Sequence, residues 1–347
     1  MRKIVILFFL LGAITLQISA AGWEAPIVPE SGAAIMPQAP ESFGQGLWEL
    51  CREGLYMLQP AIAKAAKVCL EVTVIMLLGC ISENISGDIS KNTIAMVRTI
   101  ASAYVLFDTS TAMIQLASQT IQEISEYGKL LLPVMTGVLA AQGGITASTG
   151  LYAGTAAFDA LLSSMIAKVL VPMVYIFLGL GTTAAVFPRE QFKKLCNGLK
   201  GTITWILKTL LYVFTGFMTV TGVVSGSTDA MALKATKLTI SGMVPVVGSI
   251  LSDASESVLI SMGMVKNAAG IYGILAVLSV CLSPFLQIGA QYLMLKLAAA
   301  ACDAVSPGRS SGVIHTFSTA MGLLLGMTGA VCLMLLISTV CFMKGMT

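Results

Sequence analysis

Six ionisable side chains lie inside apolar runs of this sequence: Arg98, Asp108, Asp159, Lys168, Lys208 and Lys296. A charge inside a membrane or protein interior is costly unless it pairs, reaches the headgroups or meets water. Lys208 lies near the end of its run and can reach the headgroups, and Asp159 lies near a helix start, where the helix dipole favours a carboxylate. Arg98, Asp108 and Lys168 have no such explanation. They either line a polar path through a helix bundle or have a structural role, by pairing between helices or by reaching the headgroups, and the sequence leaves both interpretations open.

The apolar stretch Leu238–Leu251 contains three helix-breaking residues at regular spacing: Gly242, Pro245 and Gly248. At about 1.5 Å per helical residue, the stretch is too short to cross a bilayer. Asp253 and Glu256 follow it in a capping-box pattern, which predicts the start of the next helix there. Broken apolar segments at membrane depth occur where protein or a cavity surrounds them. The pattern therefore favours a re-entrant pore element, and the alternative is an interfacial loop on the outer face.

The sequence shows no arrangement of residues typical of an enzyme. It has no GxxxxGK[ST] loop for nucleotide phosphates, and His315 is its only histidine. One histidine is too few for a His-ligated zinc site or for a triad base beside a placed nucleophile. The run Gly179–Ala184 fits a dinucleotide-binding pattern, but no strand precedes it, so we interpret it as helix packing or a helix break. We expect neither enzymatic activity nor a cofactor. The GxxxG pair Gly322 and Gly326 predicts close helix–helix contact.

The composition places these residues in a membrane protein. The chain has 347 residues, of which 56% are hydrophobic and only 11% are charged. A soluble domain carries about a quarter charged residues, so this chain lacks the polar side chains to cover a water-exposed surface. No lysine- or arginine-rich block interleaved with aromatic residues is present. We therefore expect membrane lipid, and no nucleic acid, as a partner.

Three regions follow from the patterning along the chain. Residues 1–21 have a basic start, an apolar run and small residues at a cleavage position, which predicts a cleavable signal peptide. Residues 22–60 are rich in proline and acidic residues, which predicts an extended extracytoplasmic segment. Residues 61–347 are predicted to form an all-α, polytopic membrane domain.

Seven apolar runs in that domain are long enough to be crossing candidates: 93–118, 130–148, 156–187, 203–225, 258–283, 285–301 and 313–342. The run 61–82 has a clean apolar part that is too short, with Lys64, Lys67 and Glu71 on one side of its first half. We therefore expect it to lie in the interface or to enter the membrane only partly.

Basic residues set the predicted orientation. The loop 188–202 contains Arg189, Lys193, Lys194 and Lys200 against one acid, Glu190, so it is predicted to be cytoplasmic. Its apolar residues recur at helical spacing, which favours an interfacial helix over a plain solvated loop. An exported N-terminus then requires an odd number of crossings before this loop. Counting 93–118, 130–148 and 156–187 gives three, and it leaves 226–256 outside.

The sequence resembles the stage III sporulation protein AE family of endospore-forming bacteria. The residues that carry the resemblance are the Ser241–Gly248 run, Leu251–Ala254 and Lys266–Gly273, and the layout of signal peptide, polar segment and polytopic remainder agrees over essentially the whole chain. The polar N-terminal segment is short for the family.

The resemblance implies a role and no reaction. It implies a subunit of a channel-like complex between mother cell and forespore, located in the mother-cell membrane that surrounds the forespore and needed for late forespore gene expression. The implied partners are other subunits of that complex, including an ATPase and ring-forming proteins, and a forespore membrane protein. The alternatives are a stand-alone secondary transporter, whose site would lie at the broken segment, and a non-conducting scaffold.

Overall fold

A computed structural model describes residues 26–37, 43–85, 88–141, 145–187, 189–243, 248–305 and 309–344; for 222–268 the description is limited to the helical backbone. Every regular element within these ranges is helical. The α-helices are α1 (Glu30–Ala33), α2 (Phe43–Ile85), α3 (Asp88–Ala141), α4 (Ile145–Met165), α5 (Val171–Val186), α6 (Glu190–Met243), α7 (Gly248–Val305) and α8 (Arg309–Lys344). A π-helical segment, Ile166–Leu170, joins α4 to α5. The predicted signal peptide, residues 1–21, lies outside the described residues.

The all-α membrane class predicted from the composition is confirmed. By length and composition, five helical stretches of the described chain can cross a membrane: Phe43–Glu83, Ile145–Val186, Glu190–Thr221, Ala269–Ala304 and Ser311–Met343. Such a chain is a multi-pass membrane protein.

Helix α3 differs from the prediction of two separate crossings at 93–118 and 130–148. One helix runs without interruption over Asp88–Ala141, and the next begins at Ile145, inside the second predicted crossing. The polar residues 119–129 are mostly good helix formers such as Gln, Glu and Lys. Their polarity therefore does not end the helix, and the prediction of a break there was wrong.

Helix α2 also corrects the prediction. The part of 22–60 from Phe43 onward was expected to be extended, yet it is helical and continues through Pro60. The run 61–82 was expected to lie in the interface or to enter the membrane only partly, and it belongs to the stretch Phe43–Glu83, which is long and apolar enough to cross. Its charged residues Lys64, Lys67 and Glu71 are exposed on one side of this long helix.

Besides Pro60 of α2 and Pro133 of α3, two further prolines lie within helical stretches of the described chain. Pro284 lies inside α7, which joins the predicted crossings 258–283 and 285–301 into one helix. Pro172 lies at the start of α5, directly after the π-helical segment. Proline lacks the N–H that would bond the carbonyl of Lys168 one turn earlier, and this gives a local reason for the wider π turn.

Contacts between helices define two ends of the bundle. At the end we call the basic end, His315 at the start of α8 contacts Asp303 near the end of α7, and Lys193 and Lys200 lie beside His315. At the end we call the N-terminal end, residues 26–37 pack on α7, where the Tyr272 hydroxyl donates to the Pro26 carbonyl at 3.3 Å.

The membrane-length stretches and α3 pass alternately between these ends. Stretch α2 leads from the N-terminal end to Glu83, which pairs with Arg98 near the start of α3. Helix α3 returns, and α4–α5 leads back to Gly181, which contacts Thr316 at the basic end. Three passes therefore precede the connection to α6. Two of these passes, α2 and α4–α5, are membrane-length stretches, and α3 is not one of them. The predicted number of three crossings before 188–202 therefore stays a prediction.

Helices α7 and α8 form the centre of the bundle. In their most apolar windows 56% and 61% of residues are buried, against 22% in α2 and α6. The outer helices therefore leave most of their apolar surface for lipid, as a multi-pass protein requires.

Candidate functional site: a polar face on helix α3

The three ionisable residues that the sequence left without explanation have different surroundings. Arg98 is buried, and its guanidinium lies 3.2 Å from the Glu83 carboxylate and donates to the Cys80 sulfur at 2.9 Å. A side chain built on Gly79 would meet Arg98, so this glycine leaves room for it. Arg98 therefore joins α2 to α3 by a buried ion pair. This is the interhelical pairing alternative of the two interpretations.

Asp108 belongs to an exposed polar face that the sequence analysis missed. From Asp108 to Lys129, exposed polar residues of α3 follow one another at spacings of three, four or seven positions: Asp108, Gln115, Gln119, Gln122, Glu126 and Lys129. Positions at this spacing share one face of a helix. We call these six residues the polar face of α3. Their spacing is readable in the sequence, but the second half of the face lies in the segment that had been interpreted as a connection between two crossings.

Two contacts between α3 and α8, one between aromatic rings and one at a glycine, show which part of α8 lies beside the polar face. Phe107 packs edge-to-face on Phe317 with ring centroids 5.3 Å apart, and Gly128 faces Leu335 of α8. The α3 residues between these two points therefore lie alongside residues 317–335, the middle of the membrane-length stretch Ser311–Met343. If Ser311–Met343 crosses the membrane, the glutamines of the face lie at the depth of the hydrocarbon core.

All residues of the polar face except Asp108 line one wall of a groove of about 560 Å³ between α3 and the α4–α5 segment. The opposite wall includes Ser163, Ala167 of the π-helical segment and Tyr175. Within α3, Gln119 and Gln122 each donate to the glutamate one turn later, Glu123 and Glu126, at 2.9 Å. The groove is therefore lined by hydrogen-bonding groups on more than one side.

Behind the groove, a buried hydrogen bond joins its two walls. Ser125 of α3 donates to the carboxylate of Asp159 on α4 at 2.6 Å, and both residues are buried. The bond holds α3 and α4 in register along the groove. Lys168, which the sequence grouped with Asp108, is exposed on the π-helical segment and does not line the groove.

Lipid is an unsuitable neighbour for this face. A carboxylate inside the hydrocarbon region is costly unless it pairs, reaches the headgroups or meets water. Lipid tails also offer no hydrogen-bond partner to a glutamine amide. In a membrane the face requires either water or polar groups of another protein against it.

The predicted broken segment lies between two helices. Helix α6 ends at Met243, one residue after Gly242, and α7 begins at Gly248. Asp253 and Glu256 lie inside α7 and not at its first residues, so the prediction that a capping box at Asp253 starts this helix was wrong. Pro245 lies outside the described residues.

The GxxxG pair of α8 faces two different helices. A Cβ built on Gly322 would lie 3.1 Å from the ring of Tyr292 on α7, closer than most side-chain contacts. A Cβ on Gly326 would lie 3.9 Å from Leu207 on α6, an ordinary contact. Gly322 is thus the position where the absence of a side chain permits close packing.

Comparison with known proteins gives a family. The family described as stage III sporulation protein AE matches residues 44–345. The chain is also similar to stage III sporulation protein AE of Bacillus subtilis (strain 168), with 23% identity over 195 residues, which cover 56% of this chain and 49% of that protein. The match thus spans about half the length of this relative, and no solved structure matches. Because the family match extends over most of the chain, this protein belongs to the stage III sporulation protein AE family.

Proposed function

We propose that this protein is a membrane-embedded subunit of a channel-like complex between mother cell and forespore, and that the polar face of α3 lines its aqueous path. The family membership supports a role in sporulation. The polar face at the depth of the hydrocarbon core carries the channel assignment, because lipid cannot satisfy it.

The proposal includes the location and the partners implied by the family resemblance. The protein lies in the mother-cell membrane that surrounds the forespore, and it assembles with an ATPase, ring-forming proteins and a forespore membrane protein. It has no enzymatic activity of its own and binds no cofactor. Its contribution is the passage that supports late forespore gene expression.

The polar face also favours a second function, a scaffold in which another subunit covers the groove without leaving a water path. Both functions keep lipid away from the glutamines. They differ in whether water reaches the middle of α3 in the assembled complex. A stand-alone transporter has no comparable support, because the one broken segment lacks a recognisable counterpart elsewhere in the sequence.

The direct test replaces Gln115, Gln119 and Gln122 with leucine. The triple variant becomes more apolar, so we expect normal insertion and protein level but strongly reduced sporulation and late forespore reporter activity. The matched control replaces Thr215 and Thr219 with leucine, because these polar residues are exposed on α6 away from the groove. Wild-type sporulation by the glutamine variant at normal protein level would contradict a role of this face.

A labelling experiment separates the channel from the scaffold. Gln119→Cys is reacted in the assembled complex with a membrane-impermeant thiol reagent, and the parental chain gives the background of its eight free cysteines. Labelling above that background indicates a water path along α3. Protection of Gln119→Cys in the complex, with labelling of the isolated subunit, would favour the scaffold.

A further inference from the structure

We propose that a basic pocket between α5, α6 and α8 binds the phosphate group of an anionic ligand, and that this ligand is an anionic phospholipid. The pocket has a volume of about 550 Å³ and lies at the basic end of the bundle, apart from the groove beside α3. Its polar lining residues are Lys193, Asn197, Lys200, His315, Thr316 and Thr319. The inference is independent of the channel assignment.

The spacing along α6 explains why the basic groups meet in this pocket. Lys193, Asn197 and Lys200 are separated by four and then three residues, so they share one face over two turns of the helix. This face is directed toward the first turns of α8, which contribute His315 and Thr316. Ammonium and amide donors from one helix can therefore reach the same bound group.

The acidic groups at this end leave the lysines available. Glu190 lies 3.7 Å from Lys193, but both side chains are largely exposed, and such surface pairs are weak. Asp303 is engaged by His315 at 2.8 Å and by Ser311. Within the described part of the chain, no carboxylate lies at ion-pair distance from Lys200.

Helix ends add to the positive potential of the pocket. Helices α6 and α8 begin at Glu190 and Arg309, and each contributes one residue of its first turn to the pocket, Lys193 and Gly312 respectively. Helix N-termini carry a partial positive charge and favour phosphate. The carboxyl end of α5, which also lines the pocket, has the opposite partial charge, but it is a fraction of a unit charge and the two lysines outweigh it.

The walls and the position favour a lipid over a soluble anion. The pocket has an apolar wall of Phe177, Ala184 and Ala185, which suits the glycerol and first methylenes of a phospholipid. Basic pockets between membrane helices at a cytoplasmic face are typical sites for anionic headgroups.

The test uses the purified full-length protein in detergent micelles and measures its thermal unfolding midpoint. Phosphatidylglycerol, phosphatidylcholine or sodium phosphate is added to separate samples. The pocket variant is Lys193→Gln/Lys200→Gln. The matched control is Arg189→Gln/Lys194→Gln, which removes the same charge from the same end at exposed residues that do not line the pocket.

We expect phosphatidylglycerol to raise the midpoint of the wild type and of the control variant by several degrees, and to leave the pocket variant unchanged. Phosphatidylcholine should have no such effect. If sodium phosphate alone gives the full increase and phosphatidylglycerol adds nothing, the site binds a free anion and the lipid assignment is overturned. Equal lipid responses of the two double variants, or no response of the wild type to either phosphate source, would overturn the pocket itself.

A second measurement covers the case in which the pocket variant is itself unstable. Native mass spectrometry counts phosphatidylglycerol molecules retained on each folded protein at matched detergent concentration. We expect one fewer retained lipid on the pocket variant than on the control variant. The same number on both would contradict the proposal whatever their unfolding midpoints.

Discussion

The guanidinium of Arg98 lies 3.2 Å from the carboxylate of Glu83, on the preceding helix of the bundle. Arg98 is 6% exposed and Glu83 is 21% exposed, so the pair has limited access to water. It lies near the connection between α2 and α3, where it ties together two helices that are adjacent in the chain. A charge that had suggested a conducting path thus has a structural partner.

Removal of Arg98 should destabilise the protein strongly. Arg98→Met leaves Glu83 as an uncompensated charge, and breaking a buried pair costs about 3–5 kcal/mol. The double variant Arg98→Met/Glu83→Gln should recover part of this loss, because neither charge remains. The midpoints of thermal unfolding in micelles measure the loss in Arg98→Met and its recovery in the double variant. The control is Lys168→Met, because Lys168 is exposed. An unchanged midpoint for Arg98→Met would contradict the role of the pair.

The sequence identified Arg98 as a residue that needs a partner but could not identify Glu83. Glu83 lies directly after the apolar run 61–82 and before the predicted crossing 93–118, so it belonged to neither. The pairing depends on the angle at which α2 and α3 pack, and Gly79 makes room for the arginine there. Such a long-range packing angle has no signature in local spacing.

The hydrogen bond from Ser125 to Asp159 should contribute measurably to the packing of α3 on α4. Ser125→Ala leaves a buried carboxylate without its donor, so we expect a loss of about 1–3 kcal/mol in the free energy of unfolding. Ser164→Ala is the control, because this serine is exposed on the same helix as Asp159. Equal unfolding midpoints for the two alanine variants would show that the bond is not stabilising.

Close packing of α8 on α7 should depend on Gly322 more than on Gly326. Gly322→Leu would displace the Tyr292 ring, whereas Gly326 has more space. We expect Gly322→Leu to insert but to lower recovery of the assembled complex, and Gly326→Leu to have a smaller effect. Gly216→Leu, at a position with nothing within 4 Å, is the control. Normal recovery for Gly322→Leu would rule out this packing face.

The composition of the chain was sufficient to predict its fold class. Local sequence patterns were insufficient to predict where its membrane crossings begin and end. Apolar run length placed the limits of crossings wrongly in α2 and α3, because neither the charges at Lys64 and Lys67 nor the glutamines of 119–129 interrupt a helix. The polar face was missed for the same reason. The glutamines of the face end an apolar run in the sequence. They are recognised as one continuous face only when the helix is known to run through them.

The order in which the helices run between the two ends of the bundle predicts a topology. With the exported N-terminus that the sequence predicts, three passes precede the basic end, so 188–202 should be cytoplasmic and 226–256 outside. A cysteine at Lys194 should react with an impermeant thiol reagent only after the cell is opened. A cysteine at Ala33, exposed near the N-terminal end, should react in intact cells. Labelling of the position 194 cysteine in intact cells would contradict this topology.

The Gly242–Gly248 segment, which the sequence predicts to break the helix, should be needed for function and not for insertion. Helix α6 ends at Met243 and α7 begins at Gly248, within the short apolar stretch that contains Gly242 and Pro245. Replacing both glycines and the proline with alanine removes a preference for breaking the helix of about 1 kcal/mol for each Gly and about 3 for Pro. The triple variant should therefore favour a continuous helix from α6 into α7.

A continuous helix would change the direction in which α7 enters the bundle, while the apolar crossings themselves remain intact. We therefore expect normal protein level with a loss of sporulation efficiency and of late forespore reporter activity.

Asp253→Ala is the control, because Asp253 lies inside α7 and its loss does not remove the first residue of the helix. The glycine changes without the proline change should be milder, since Pro245 contributes the largest part of the break. Wild-type sporulation by the triple variant at normal protein level would show that the segment is a simple connection. The scaffold would then be the better description of this part of the protein.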